Sequence, residues 1–319
     1  MTPPSCPFPL DQYEALREGC GLVELAEWSS VTIAGGDRQP FLHGFCTNDV
    51  RRLVPGESCE AFVTDVKGKT IGHGLITCRE NELVYITVPG QAESLAAHWD
   101  RYVIREDVRV RDTTAERAYL LLAGREEAGS LAADVGGAAV RWIVWNLLAG
   151  PMCGLLEVMP TDVPRVRQSL VERGAVACEA GAFAAARIEA GTPLFGIDFG
   201  PENLPQEVGR DKSAISFTKG CYLGQETIAR IDALGHVNQQ LTGARFAGPR
   251  IPATDTALTH AGAAIGRVTS ATFSPRLGAP LALAMVRRPW FAPGGELESE
   301  VGPCKVVALP VGSSDGAID

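Results

Sequence analysis

The chain has 319 residues, 45% of them hydrophobic and 21% charged, and a formal net charge of −9. That length exceeds one core, so two or three packed units are expected, and the composition excludes both a disordered chain and a membrane-embedded one. The negative balance, with no run of Lys or Arg longer than a pair, leaves no field to gather nucleic acid.

The opening MTPPSCPFPLDQYEALREGCG has no basic region followed by a long apolar run, and apolar runs such as AYLLLAG, around Leu120 to Leu122, are far too short to span a bilayer. A cytoplasmic protein without a membrane partner is the expectation. The first helix is predicted over Leu10 to Arg17, closed by Gly19 and Gly21, with strand character near Val31 to Ile33. Asp37 is a candidate N-cap for a helix carrying Phe41, Leu42 and Phe45. Two strand-like stretches follow, broken by a hairpin signal at Lys67-Gly68. A helix is predicted from Gln91 to Tyr102 and a strand from Val108 to Arg111, after which strand, helix and strand alternate again through AYLLLAGREEAGSLAADVGGAAVRWIVWN. Thr161 or Asp162 caps a further helix that stops at Gly174. No GxGxxG or GxxxxGK[ST] occurs, so the reading is α+β with no dinucleotide site. From Gly243 onward short strands separated by Gly and Pro predict a small all-β barrel or sandwich, with a frayed tail VGSSDGAID. The expected division is residues 1–242 and 243–319.

Nine cysteines are scattered without a CxxC pair, and the five histidines show no HExxH or HxxxH, so reduced thiols and no permanently bound metal are expected. One cysteine stands apart. In FTKGCYLGQETIAR, Lys219 precedes Cys221 by two residues, and a short helix follows; both a cation and a helix N-terminus lower a thiol pKa. Gly220 and Gly224 allow backbone conformations closed to other residues. The alternative is that Cys221 simply packs in a tight turn.

Residues 186–241, ARIEAGTPLFGIDFGPENLPQEVGRDKSAISFTKGCYLGQETIARIDALGHVNQQL, closely resemble the signature region of the YgfZ family, folate-binding relatives of the glycine-cleavage T protein. The motif KGC[FY]xGQE followed by an Arg is matched by Lys219, Gly220, Cys221, Tyr222, Gly224, Gln225, Glu226 and Arg230. DRQPFLHGFCTNDV, HWDRYVIREDVRVRD and GRVTSATFSPRLGAPLALAMVRR extend the similarity to most of the chain. The resemblance implies a T-protein-like fold, two related α+β lobes and a C-terminal β-barrel around a tetrahydrofolate pocket, and a role in maintaining or repairing iron–sulfur enzymes. By the same resemblance, Cys221 carries the chemistry, Lys219 stabilises its thiolate, and Arg230 or Glu226 holds the loop. Folate, and iron–sulfur client or assembly proteins, are the implied partners.

Aminomethyltransferases of this superfamily carry a carboxylate in a GGxxDD-like turn; the matching stretch GKTIGHGLI has Gly72 and His73 there. Without that carboxylate a one-carbon transfer loses its proton handling, so T-protein activity is not expected unless Asp65 or Asp198 reaches the site. His73 is read as a solvated hairpin residue. Arg187 matches a folate-proximal arginine that either binds a ligand carboxylate or pairs with Glu189. Thr47, Asn48 and Asp49 form a polar turn, read first as Asx-turn chemistry, with Asn48 and Asp49 able to line the pocket through the resemblance. Glu157 falls near a pterin-binding acid of the T proteins. Trp142 and Trp145 are placed on opposite faces of a strand and read as core. Three functions compete: the iron–sulfur accessory protein acting through Cys221, a folate-dependent one-carbon transferase or demethylase, and a non-catalytic binding module.

Overall fold

The computed structural model describes residues 6–125, 127–135 and 140–312. The expected frayed tail falls mostly outside this range, as does the stretch 136–139 within the middle segment.

In the first half the elements are α1 (Leu10–Glu18), β1 (Cys20–Leu25), β2 (Ser29–Ala34), α2 (Arg38–His43), β3 (Ser58–Thr64), β4 (Thr70–Cys78), β5 (Glu82–Thr87), α3 (Ala92–Asp100) and β6 (Arg109–Asp112). The second half begins with β7 (Ala118–Gly124), α4 (Glu127–Val135), β8 (Arg141–Val144), β9 (Met152–Val158), α5 (Val163–Glu172), β10 (Val176–Ala177), α6 (Ala180–Ala190), α7 (Asp211–Ala214) and α8 (Gln225–Leu234). It ends in β11 (Gln239–Phe246), β12 (Ala257–His260), β13 (Ala263–Ser274), β14 (Ala279–Arg287), β15 (Glu296–Leu297) and β16 (Cys304–Val307). The fold is α+β, with two lobes and a small, nearly closed C-terminal barrel.

The first lobe is an antiparallel sheet in the order β3-β4-β5-β2-β6. Phe41 and Leu42 of α2 and Leu95 and Trp99 of α3 fill one of its faces, against Val31, Ile33, Ile76 and Tyr85. Asp37, the expected N-cap, makes no cap bond; its carboxylate instead accepts the Asp107 N–H at 2.8 Å. The second sheet, β10-β1-β7-β9-β8, is covered on both sides. Leu121 and Ala123 of β7 face α1 and α6, while Leu120 and Leu122 face α4 and α5, the period of two of a doubly buried strand. That explains the unbroken run AYLLLAG. β1 arrives from the N-terminus to pair with β7 in this sheet, so the two lobes are interlocked along the chain rather than sequential.

The barrel runs β12-β13-β14-β11-β16-β15, and a bridge between Thr259 and Glu298 draws its two edges together. Ala282, Ala284 and Val286 of β14 fill its interior with Phe246, Leu258 and Val268. The alternate residues Leu281, Leu283 and Met285 pack outward on Phe62, Ile188, Phe195, Phe199, Tyr222 and Ile228. One strand thus builds both the barrel core and the joint, each buried Leu contributing about 1.5–3 kcal/mol. β11 starts at Gln239 and passes through the boundary expected at 243. Among the described residues no helix is long and apolar enough to cross a membrane.

Two polar anchors fix α6 to β13. Arg187 donates to Asp198 at 2.9 Å and to Ser270 Oγ at 2.8 Å, while Asp198 also accepts Thr269 Oγ1, Ser270 Oγ and the Leu194 N–H. Glu189 accepts from Tyr13, Arg17 and Ser274. Arg187 therefore pairs with Asp198 and not with Glu189. Replacing Asp198 by Ala leaves a buried guanidinium without its counter-ion, and a loss of about 3–5 kcal/mol is expected in urea unfolding. A wild-type midpoint for D198A would mean the pair does not hold this joint.

Candidate functional site

The segment between α7 and α8 lies against the end of α2 and the β3–β4 hairpin. Lys219 is the buried member. Its ammonium donates to the carbonyls of His43 (2.7 Å), Cys46 (2.6 Å) and Asn48 (2.8 Å) and sits 4.8 Å from the centre of the Tyr222 ring. An ammonium has three protons and no acceptor, and the C-terminus of a helix leaves carbonyls unpaired, so the fit is complete. All three protons are taken, and Lys219 does not serve as the thiolate partner of Cys221. Burial pushes its amine below the usual lysine range, partly offset by Cys46, Asp49 and Cys59.

Cys221 itself is exposed. Tyr222 turns inward beside it, the Leu223 N–H donates to Gly44 O at 2.9 Å, and Thr64 Oγ1 donates to Leu223 O at 2.6 Å. Gly224 closes the loop with φ 84°, and a Cβ there would lie 2.4 Å from Asp65 O, so the position demands glycine. Gly220 has no positive φ, and its expected conformational role is not observed. The expected short helix is α8, which begins at Gln225 after Gly224 at its N-cap, but Glu226 and Arg230 are exposed on it. Lys219, Thr64 and Gly44 hold the loop in their place.

The turn at Thr47-Asn48-Asp49 is the seat of this segment. Thr47 Oγ1 donates to Ala214 O at 2.6 Å, and Asn48 Nδ2 donates to Glu60 O at 2.8 Å and Ser213 O at 2.9 Å. Asp49 faces His43 Nδ1 at 3.3 Å and Arg52 Nε at 3.2 Å. Asp49 Oδ1 also accepts the Arg51 N–H at 3.2 Å, the side-chain-to-backbone bond that the Asx-turn reading expects.

At the position of the superfamily's acidic pair, Gly72 lies against Leu95 and His73 is buried rather than solvated. The His73 ring lies between Phe62 (4.6 Å) and Phe199 (5.7 Å), and Nε2 is 2.7 Å from Glu60 Oε1. Glu60 also accepts from Arg210 through both oxygens. Burial alone would raise its pKa, but the hydrogen bonds from Arg210 and His73 win and hold it well below the usual carboxylate range. Neither expected substitute carboxylate reaches this position uncommitted. Asp65 accepts the Lys67 and Lys69 N–H groups at 2.8 Å each in the hairpin turn, and Asp198 belongs to Arg187. Glu157 is bound by Arg79 and Arg117 between the two sheets. Trp145 is buried edge-on against Trp28 at 5.6 Å, and Trp142 covers Gly154.

Between the second lobe and the barrel lies a cavity of about 510 Å³, walled by Val208, Leu241, Phe291, Val307 and Leu309, with Arg210, Gln240 and Thr242 among its polar members. None of Asn48, Asp49, Glu157, Arg187 or Asp198 lines it. Sequence reasoning missed Glu60, Arg210 and His43. A charged residue inside the apolar run CEAFVT is the signal that marks Glu60.

Residues 7–139 match the GCVT N-terminal domain, and residues 239–313 match the glycine cleavage T-protein C-terminal barrel domain. An aminomethyltransferase of Rubrobacter xylanophilus is 28% identical over 94% of this chain and 85% of its own. A putative chloroplastic transferase of Arabidopsis thaliana is 26% identical over 81% of this chain and 63% of its own. Among solved structures, the glycine cleavage system aminomethyltransferase T from Bartonella henselae superposes with a TM-score of 0.83 over 94% of this chain and 88% of its own, at 18% identity. The chain thus matches both domain models and shares the fold of that aminomethyltransferase structure.

Two variants probe the seat of the loop. Lys219→Met strands three carbonyls and is expected to destabilise the protein by about 3 kcal/mol in urea unfolding, with faster amide exchange in residues 43–49. An unchanged midpoint and exchange rate would show that the ammonium is not needed there. Asp211, at the start of α7, is pushed up to about 6 by burial and then by Asp232. Its contribution to stability is present in full below pH ~4 and is lost as the pH rises through about 6. Asp211→Asn is therefore expected to stabilise the fold at pH 7 by about 1–2 kcal/mol after solvent screening, and not at pH 4. A gain that is the same at both pH values would contradict the assignment.

Proposed function

We propose that this chain is a tetrahydrofolate-binding protein that works through the Cys221 thiol in the upkeep of iron–sulfur enzymes, as its resemblance to the YgfZ family implies. One observation carries the reading: Cys221 stands exposed on a loop whose flanking residues, Lys219, Tyr222, Leu223 and Gly224, are each fixed by the first lobe. A lone thiolate cannot hold a cluster, so the remaining ligands come from the client protein.

The cavity at the barrel joint suits a folate in size and in character. At about 510 Å³ it lies in the range of small-molecule sites, with an apolar wall for a ring system and a few polar groups to orient it. Leu241, Val307 and Leu309 would hold the ring, and Gln240 and Thr242 would hydrogen-bond it. Bound folate supplies a one-carbon carrier; the protein's part is to bind and orient it.

A second reading, folate-dependent aminomethyl or related one-carbon transfer, is supported by the names of the relatives and by the shared fold. Against it stands the chemistry at residues 72 and 73, where the carboxylate bonded to His73 among the described residues is Glu60, already charge-neutralised by Arg210. Titration with tetrahydrofolate, followed by tryptophan fluorescence, is expected to give saturable binding in wild type and Cys221→Ala alike. In cells lacking the protein, iron–sulfur enzyme activity is expected to fall and to be restored by wild type but not by Cys221→Ala. Transfer of a one-carbon unit to tetrahydrofolate from an aminomethyl donor, unchanged in Cys221→Ala, would establish the second reading instead.

A further inference from the structure

One wall of the cavity at the barrel joint is set by two absent side chains. β16 ends at Val307, and the residues after it, Ala308, Leu309 and Pro310, run on along the cavity. Leu309 is seated in a notch: a Cβ built on Gly191 would lie 2.7 Å from its Cβ, and a Cβ built on Gly243 would lie 3.1 Å from its Cγ and its Cδ2. Gly191 closes α6 with φ 73°, a left-handed cap that favours glycine. Gly243 is different, since it lies inside β11 without a positive φ and its backbone does not call for glycine. What it supplies is room, for Val307 opposite it in the ladder and for Leu309 beyond the ladder's end. Past the notch the chain is tied down again, the buried Val311 donating its N–H to Glu189 O at 2.8 Å.

We propose that Leu309 is the specificity-determining residue of this cavity, setting the largest ring system it admits, so that a two-ring heterocycle of pterin size enters and one with a further fused ring is refused. The inference rests on the reading that the cavity binds the folate ring, and deepens it by naming the class of ring. The other apolar walls are committed elsewhere. Leu241 and Val307 are held in sheet ladders, Val208 is buried in the cluster on the outward face of β14, and Phe291 packs on the barrel core. Leu309 lies past the last pair of β16, half-buried, and lines the cavity. It has nowhere to retreat, because the notch behind it is filled to contact on both glycines, and a close-packed wall discriminates by overlap. The cavity, at about 510 Å³, is in the lower part of the range of small-molecule sites, about 300–1,000 Å³, so an added ring must be met by a wall that moves. A Cβ at position 243 would act from behind, pressing on Leu309 and lying 2.9 Å from Val307 Cγ2, while removal of the Leu309 isobutyl group would open the wall.

The test is the binding of two probes, tetrahydrofolate and a folate analogue with one more fused ring, followed by tryptophan fluorescence in the full chain. Leu309→Ala is expected to bind the three-ring analogue on the order of tenfold more tightly than wild type does, and tetrahydrofolate within about threefold of wild type. That gain cannot come from a variant that merely unfolds. Gly243→Ala is expected to weaken tetrahydrofolate binding on the order of tenfold, and Leu309→Ala in the same chain to restore it, the coupling of two groups in contact. Three results overturn the proposal and leave the folate reading standing: a three-ring analogue that wild type and Leu309→Ala bind alike, tetrahydrofolate binding that ignores Gly243→Ala, or a double variant as weak as Gly243→Ala alone. Wild-type protein that binds no tetrahydrofolate overturns the proposal and the folate reading together.

Discussion

The ammonium of Lys219, bound to three carbonyls at the end of α2, is the constraint on which the candidate site depends. Its partners lie more than 170 residues away in sequence, so this one group ties the loop before α8 to the first lobe and gives the TND turn its seat. A buried ammonium without such partners would be intolerable, and three main-chain carbonyls without donors would be nearly so. Each makes the other possible. The geometry that results is one in which the cation is withdrawn from the surface and the neighbouring cysteine is left on it.

The second constraint is the joint between α6 and the barrel. Arg187 and Glu189 are two residues apart on one helix and so project to different sides of it, which is why they cannot pair with each other. Arg187 turns to Asp198, just past the helix, and Glu189 to Tyr13, Arg17 and Ser274. Between these anchors the outward face of β14 closes over Phe195, Phe199 and Phe62. Phe62 and Phe199 also flank His73, so the packing that docks the barrel fixes the polar chain from His73 through Glu60 to Arg210.

What could be read from the chain follows from these same facts. The α+β lobes, the barrel, the hairpin at Lys67-Gly68, the helix after Gly224 and the resemblance in KGCYLGQE all rest on local periodicity or a contiguous motif, and these are legible in one dimension. Direction is not. Nearness in sequence placed Lys219 beside Cys221, whereas its ammonium runs the other way to reach the helix end. Gly243 reads as a break after TG, yet β11 passes through it, and the missing side chain leaves room for Val307 and Leu309. His73 reads as part of a turn, but β4 already begins at Thr70, and pairing with Phe62 draws the imidazole into the core. Glu60 carries its meaning only through a long-range partner, Arg210, and the burial of His43 at the end of α2 depends on packing that no local pattern announces.

The contrast between the two titratable clusters bears on which chemistry this fold has kept. Around Glu60 every charge is answered: the carboxylate is paired with Arg210 and bonded to His73, and its depressed pKa means that it holds no proton to give near neutrality. A group held that firmly in one state stabilises structure and is poorly placed to act as a general acid or base, whose pKa must lie near the working pH. Around His43 the situation is reversed. The ring is buried, neutral and unpartnered, next to the loop that presents the exposed thiol. Lys219, Glu60, Arg187 and Asp198 are all satisfied, whereas the buried imidazole of His43 has no hydrogen-bond partner among the described residues and the Cys221 thiol stands exposed on the neighbouring loop.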